Sequence, residues 1–465
     1  MPALLVALTC AGALVALGDL RAHAGQAIPL LVAWGLLVVV MHLLDLRRHV
    51  LGDLGPLTMR SPEQEPLAPP GAPRWRLDVR RLTPLSVLLA ALAVRLPLLA
   101  SPPTLSDDIH RYIWEGWLTL QGGNPYLTPP AADPGALDHP IRLLVNHPEV
   151  STIYPPVALW LFAVLAAISP SALVFKAAMA LADAGTAAAL AGALRARGRS
   201  TSGAWLYALM PLGAVEAAGS GHLEAVAVCC LAMALWSWSA GRAGLGFAAL
   251  GALLKLLPAV LIPALWRRRP WLLAVALAVA VLSALPFREA GPHLLRGLST
   301  YAEHWSFNAS GFRVLSWLLG PVVDDPRQIR LVALGIGALA VLRSWWTLRD
   351  PARVALWVGG AFVLLSPTVH PWYLLWVWVP SLLLGVRSWT VLAMLAPLSY
   401  AVLLDYDPSS GTWQEPAWPV WAQYLPLLLA ALLESLWHQL RPGPWSPSPI
   451  PSPPSPAPSR SASPT

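Results

Sequence analysis

Residues 27–46 read Ala27-Ile28-Pro29-Leu30-Leu31-Val32-Ala33-Trp34-Gly35-Leu36-Leu37-Val38-Val39-Val40-Met41-His42-Leu43-Leu44-Asp45-Leu46. A membrane crossing needs about 20 apolar residues, and this stretch supplies them with one charge, Asp45, next to its end. Similar stretches recur at about 3–20, 83–100, 155–168, 171–194, 203–217, 222–239, 244–266, 271–286, 328–347, 352–367, 371–386, 389–404 and 419–438. The first lacks a basic leader and more membrane sequence follows it, so it reads as a span rather than a signal peptide. Composition agrees, at 56% hydrophobic and 12% charged over 465 residues, against roughly 25% charged in soluble domains. No water-soluble surface can be built from so few charges. The expectation is an all-α polytopic transmembrane helical bundle of about 12–14 spans, with short interfacial helices on its external loops.

The net charge of +7 does not point to nucleic acid, because the basic residues form short clusters between apolar runs rather than an aromatic-interleaved patch. Only Lys176 and Lys255 are lysine; the other basic residues are arginine. Cys10, Cys229 and Cys230 all lie in apolar runs and support neither disulfides nor a zinc site. Seven arginines (Arg47, Arg48, Arg60, Arg74, Arg76, Arg80, Arg81) in the loop 47–82 mark that loop as cytoplasmic. Counting onward puts Arg267, Arg268, Arg269, Arg349, Arg353, Arg387 and the C-terminus inside, and the loops 101–154, 287–327 and 405–418 and the His370 turn outside. Arg195, Arg197 and Arg199 come out externally, against the rule. The organisation reads as a two-span segment with its arginine-rich loop (1–82), a membrane module with the long loop 101–154 (83–286), and a second module with the loop 287–327 (287–440). A Pro/Ser-rich tail follows (441–465), with 10 prolines in 25 residues, which forbids helix and favours extended, disordered chain.

The loop 101–154 carries Ser106-Asp107-Asp108-Ile109-His110-Arg111-Tyr112-Ile113-Trp114-Glu115-Gly116. Ser106 suits a helix N-cap and the two acids suit the positive end of a helix dipole. Ile109, Ile113, Gly116 and Leu120 fall on one helical face, with Asp108, Tyr112 and Glu115 on another. That describes a short helix lying at the membrane surface. Its plain structural version pairs Asp107 with Arg111 at i, i+4. Gly122-Gly123-Asn124-Pro125-Tyr126 follows, and Ser151-Thr152-Ile153-Tyr154-Pro155-Pro156 leads into the next apolar run.

This order resembles the GT-C superfamily of integral-membrane glycosyltransferases. The nearest branch comprises the polyprenyl-phosphate-sugar-dependent α-mannosyltransferases and the catalytic subunit of GPI mannosyltransferase I. Leu209-Met210-Pro211-Leu212 and Ser220-Gly221-His222-Leu223-Glu224 resemble that branch's Asn-Pro-Leu and Gly-His-Asn-Asp stretch. Met210 stands where Asn is usual, and Leu223-Glu224 where Asn-Asp is usual. Lys255-Leu256-Leu257-Pro258, Trp305-Ser306-Phe307-Asn308 and His370-Pro371-Trp372-Tyr373 complete a resemblance over roughly 83–385.

The resemblance implies sugar transfer from a polyprenyl phosphate to a hydroxyl of a lipid or glycan acceptor. The transfer would occur at the external face of the cell membrane, with inversion at the anomeric carbon. An acceptor hydroxyl needs a general base, and the resemblance gives that role to Asp107 first and Asp108 as the alternative. A departing phosphate needs cations or donors. Lys255, deep within an apolar run where a charge is costly, is the sharpest candidate; snorkelling is its structural alternative. Arg111, Tyr112, Glu115, Tyr126, His304, Asn308, His370, Trp372 and Tyr373 complete the candidate substrate contacts. For the His370 group an aromatic belt at the interface is the competing explanation. Glu216, His222 and Glu224 flank a break between short spans, where a satisfied polar turn is the structural alternative to a functional role. No cofactor is called for, although two adjacent carboxylates can hold Mg²⁺ or Mn²⁺. Mannose is the expected sugar, with arabinose or glucose as alternatives. A secondary transporter or flippase, with Lys176, Asp183 and Lys255 lining a path, is the reading from another class; it lacks the internal repeat such folds carry.

Overall fold

The computed structural model describes residues 2–53, 82–132, 139–407 and 414–440. Most of the arginine-rich loop, with Arg60, Arg74, Arg76, Arg80 and Arg81, and the Pro/Ser tail lie outside the described residues. The protein is an all-α polytopic bundle. Among the described residues the regular structure is helical, and an isolated parallel bridge joins Phe307 to Thr368. Among the described residues, six helices are long and apolar enough to cross a membrane, and seven shorter apolar helices accompany them. Burial sorts the long ones. The apolar window of Ala172–Ala196 is 67% buried, whereas that of Trp271–His304 is 6% buried. The first is a central helix and the second faces the bilayer, where exposed Trp271, Leu277 and Leu282 suit the solvent. Alanines let the central helix pack closely on Glu224–Ser239.

Two ends can be told apart. Arg21, in the turn after the first helix, pairs with Asp107, so that turn shares an end with the loop 101–154. At the opposite end Arg197 pairs with Asp350 at 2.8 Å and donates to Ser239, and Arg199 donates to the carbonyl of Leu383. These are the loop end and the arginine end.

That geometry removes the anomaly of Arg195, Arg197 and Arg199. The run 155–168 does not cross. Helix Pro156–Ile168 lies along helix Asp108–Leu120, so closely that a Cβ on Gly116 would sit 2.4 Å from the carbonyl oxygen of Phe162. Both its ends stay at the loop end, because the next helix begins at Ala172 and its Lys176 caps the end of helix Pro84–Leu98. Helix Ala172–Ala196 then crosses once and delivers the three arginines to the side of Arg349 and Arg387. A compensating difference lies at 244–266, expected as one span. Helix Leu245–Leu254 ends at Lys255, which is extended, and residues 257–268 return to the arginine end, where Arg268 donates to the carbonyl of Arg242. Pro258 lacks the N–H that a continuous helix would need. The run 203–217 is also broken: Met210 is extended before Pro211, and a π-turn spans Val215–Gly219.

Two buried charges of the transporter reading have structural partners. Lys176 donates to the carbonyls of Leu98 (3.0 Å) and Leu99 (3.2 Å), satisfying orphan acceptors at a helix C-terminus. Asp183 is fully buried between Arg95 and the hydroxyl of Tyr207. Neither lines a path.

Candidate active site

The loop helix, Asp108–Leu120, starts one residue after Asp107, whose side chain makes no cap. Ser106 Oγ instead accepts from the Asp108 amide at 3.3 Å. The helix does not lie amphipathically at the surface. Ile109, Tyr112, Ile113, Trp114, Glu115 and Gly116 are all buried, so its polar face is internal too. Arg111 does not pair with Asp107. Its guanidinium donates to the carbonyls of Asn146 (2.6 Å), His147 (2.9 Å) and Val150 (3.0 Å) and lies 3.5 Å from Glu115. Arg111 thereby ties down the return of the loop. Glu115 is fully buried and accepts from Thr152 Oγ1 at 2.8 Å; burial pushes its carboxyl up to about 7.

A cavity of about 200 Å³ opens at the loop end. Asp107, Asp108, Arg111, Lys255, His370, Trp372 and Tyr373, from three separate stretches of the expected set, all line it. Asp107 is committed to Arg21 Nη2 at 2.6 Å. Asp108 is 30% exposed, opening on the cavity. Loss of solvation, then the nearby Glu224 charge, raise its carboxyl to about 6, against the pull of Lys255 and Arg111. Behind Asp108 runs a buried file. His222 Nδ1 lies 3.7 Å from Asp108 Oδ2, its Nε2 lies 3.5 Å from Glu216, and Glu216 accepts from the Tyr400 hydroxyl at 2.8 Å. Neither ring nitrogen of His222 has a hydrogen-bond partner among the described residues.

Lys255 stands at the helix break described above, not in the middle of a span. Its Nζ is 2.7 Å from buried Glu224 and over the rings of Tyr154 and Tyr373, 5.4 and 5.7 Å from their centroids. Lys255 lines the cavity, where a snorkelling lysine would not be, and Glu224 is buried behind it. His370 stacks on Trp372 (4.5 Å) and Phe307 (5.0 Å), and His222 stacks on Trp372 at 3.5 Å. Trp372 is only 5% exposed, leaving little ring surface for a sugar.

The rest of the expected set stands back from the cavity. Tyr112 packs beneath it, its hydroxyl 3.5 Å from Asp108, and the Tyr126 hydroxyl donates to the Tyr154 carbonyl at 2.7 Å. His304 is exposed on a helix end, against the carbonyl of Thr300. Asn308 is buried, exchanging hydrogen bonds with Gln423 of the last helix. Arg21, Tyr301 and Tyr400 line the cavity unannounced. Only Arg21 left a trace in the sequence: an arginine in a turn expected outside, where few are found. Among the described residues no three His, Cys, Asp or Glu side chains gather as a metal site, and Asp107 and Asp108 are engaged by different partners.

Residues 10–281 match the family model described as alpha-(1->6)-mannopyranosyltransferase, N-terminal domain. The chain belongs to this family. Residues 326–435 match the model of the MptB C-terminal domain. No curated protein and no solved structure matches. This family is of the GT-C type and its members transfer mannose, so the protein is a mannosyltransferase and the transporter reading falls away. Asp108, Lys255 and His370, from three of the stretches that carry the resemblance, line one cavity, and His222 stands behind Asp108.

Proposed function

We propose that this mannosyltransferase moves mannose from a polyprenyl-phosphate donor to a hydroxyl of a lipid or glycan acceptor, at the external face of the cell membrane. The observation that carries the reading is one cavity holding an accessible carboxylate, Asp108, opposite a lysine ammonium, Lys255. Asp108 takes the proton of the acceptor hydroxyl, whose oxygen attacks the anomeric carbon as the bond from that carbon to the phosphate oxygen breaks. Lys255 stabilises the charge that develops on the departing phosphate. Asp108 suits the base better than Asp107, because the Arg21 contact already occupies an Asp107 oxygen. Arg111 has its donors on loop carbonyls and serves to hold the loop helix in place. A single displacement inverts the anomeric centre, so an α-(1→6) product, as in the family's name, requires a β-linked donor.

Purified enzyme supplied with β- or α-linked polyprenyl-phosphomannose tests this directly. Transfer from the β anomer alone is expected; equal use of both, or of a nucleotide sugar, would sink the donor assignment. For the face, Ala131→Cys, on an exposed part of the loop, should react with a membrane-impermeant thiol reagent in intact cells. Labelling only after permeabilisation would put the cavity in the cytoplasm.

A further inference from the structure

A second and larger cavity, about 930 Å³, lies away from the one that holds the chemistry. It opens at the arginine end, between helices Glu224–Ser239, Leu245–Leu254 and Trp271–Ala284. Two of these helices join it to the candidate active site. Glu224 and Lys255 form the ion pair at one end of this hairpin, and the turn at Arg242 forms the other. Sixteen residues from Glu224 to Ser239 separate the two ends by about 22 Å along the helix.

Chemistry divides this cavity in two. Its mouth carries Arg242, Arg268 and Arg269, with Ser237 beside them. No carboxylate is paired with these three arginines among the described residues. Arg268 is held in place: its guanidinium lies 4.0 Å from the centroid of the Trp238 ring, and its Nη1 donates to the Arg242 carbonyl at 2.8 Å. The inner wall is apolar, with Met233, Trp236, Phe247, Leu250 and Leu272. Phe247 and Leu250 are 37% and 44% exposed, so this wall opens sideways on the surface that faces lipid.

We propose that the cavity is a binding site for one anionic phospholipid, its phosphate on the three guanidiniums and its first acyl segment along the Phe247–Leu250 wall. Arginine matches phosphate oxygens with paired N–H donors, and basic pockets between membrane helices hold anionic headgroups. A free phosphate would use the mouth and leave the apolar wall empty. The inference rests on the membrane fold and is independent of the transfer reaction.

Native mass spectrometry of the full chain in neutral detergent, titrated with phosphatidylglycerol or phosphatidylcholine, tests it. Wild type should retain phosphatidylglycerol at least fivefold better than phosphatidylcholine. Arg268→Gln should cut that excess below twofold. Gly246→Phe, whose new ring grows toward Leu272 with no change of charge, should lower phosphatidylglycerol retention to a similar extent. Should Arg268→Gln lower the melting temperature in phosphatidylcholine, the exposed Arg242→Gln carries the same reading. Equal retention of the two lipids, or an undiminished excess in the arginine variants, overturns the proposal. Loss of the arginine effect with full retention in Gly246→Phe would reduce the site to a surface charge. Displacement by inorganic phosphate beyond that by chloride at equal ionic strength would make it an anion site, and would overturn it too.

Discussion

The two ends of the hairpin Glu224–Leu254 make a natural comparison. At the loop end, charge is balanced and enclosed: Lys255 faces Glu224 at 2.7 Å, and Asp108 is close behind. At the arginine end, no carboxylate among the described residues pairs with the three guanidiniums around a wide cavity. An enclosed set of opposite charges in a small cavity costs desolvation and is kept where positions matter. Unbalanced charge at an open rim is cheap and suits a partner of opposite sign. Volume is therefore a poor guide here, since the smaller cavity is the one lined by the candidate residues Asp108, Lys255 and His370.

The largest expected difference between the ends is at the proposed base. Asp108→Asn keeps shape but cannot accept a proton, and transfer should fall by about 10²–10⁴ in kcat. Asp107→Asn should cost less than about tenfold, because its role is the contact with Arg21. Reversal of these two results would return the base to Asp107. Two stable variants with full activity would remove the pair from the mechanism.

Lys255→Met comes next, with an expected loss of about 10² in kcat. It also leaves buried Glu224 without its cation, so the melting temperature should drop. Lys255→Met combined with Glu224→Gln separates the two effects. If Lys255 acts on the phosphate, the double variant recovers the melting temperature and not the activity. Recovery of both would make the pair structural.

A smaller effect should appear as a pH profile. Burial raises the Asp108 carboxyl to about 6, so the proton is retained below that pH and the base is lost. With donor below saturation, kcat/KM should decline about tenfold per unit as pH falls past 6, and flatten above it. Asp108→Asn should abolish this limb while keeping any residual rate. An unchanged limb would assign it to another group.

The smallest effect is expected at the other end. Arg242→Gln should leave transfer within about twofold in phosphatidylcholine, because it lies about 22 Å along the hairpin from the ion pair. A larger loss would mean that the two ends are coupled.

The fold class was legible from runs such as 27–46, since bilayer thickness sets a length that apolar sequence must meet. The loop helix was legible too, and so were its acid pair and the residues at Lys255 and His370, because local motifs carry their own order along the chain. Other features depended on what packs against what. The run 155–168 is as apolar as a span, yet it lies along the loop helix because Gly116 admits the backbone of Phe162. The polar face of the loop helix looked like a surface; it is internal because the helix is covered on both sides. Lys255 looked buried in mid-span, and its helix ends there. Arg21 entered the cavity from a turn about 86 residues away from Asp107, and no local pattern foretells such a contact. Hydropathy and motif order are properties of neighbouring residues, so the sequence alone determined a membrane-embedded, GT-C-like chain. Which runs cross, which charges meet, and which acid is held by Arg21 while the other opens on the cavity are set by contacts between distant segments, and only the tertiary structure decided them.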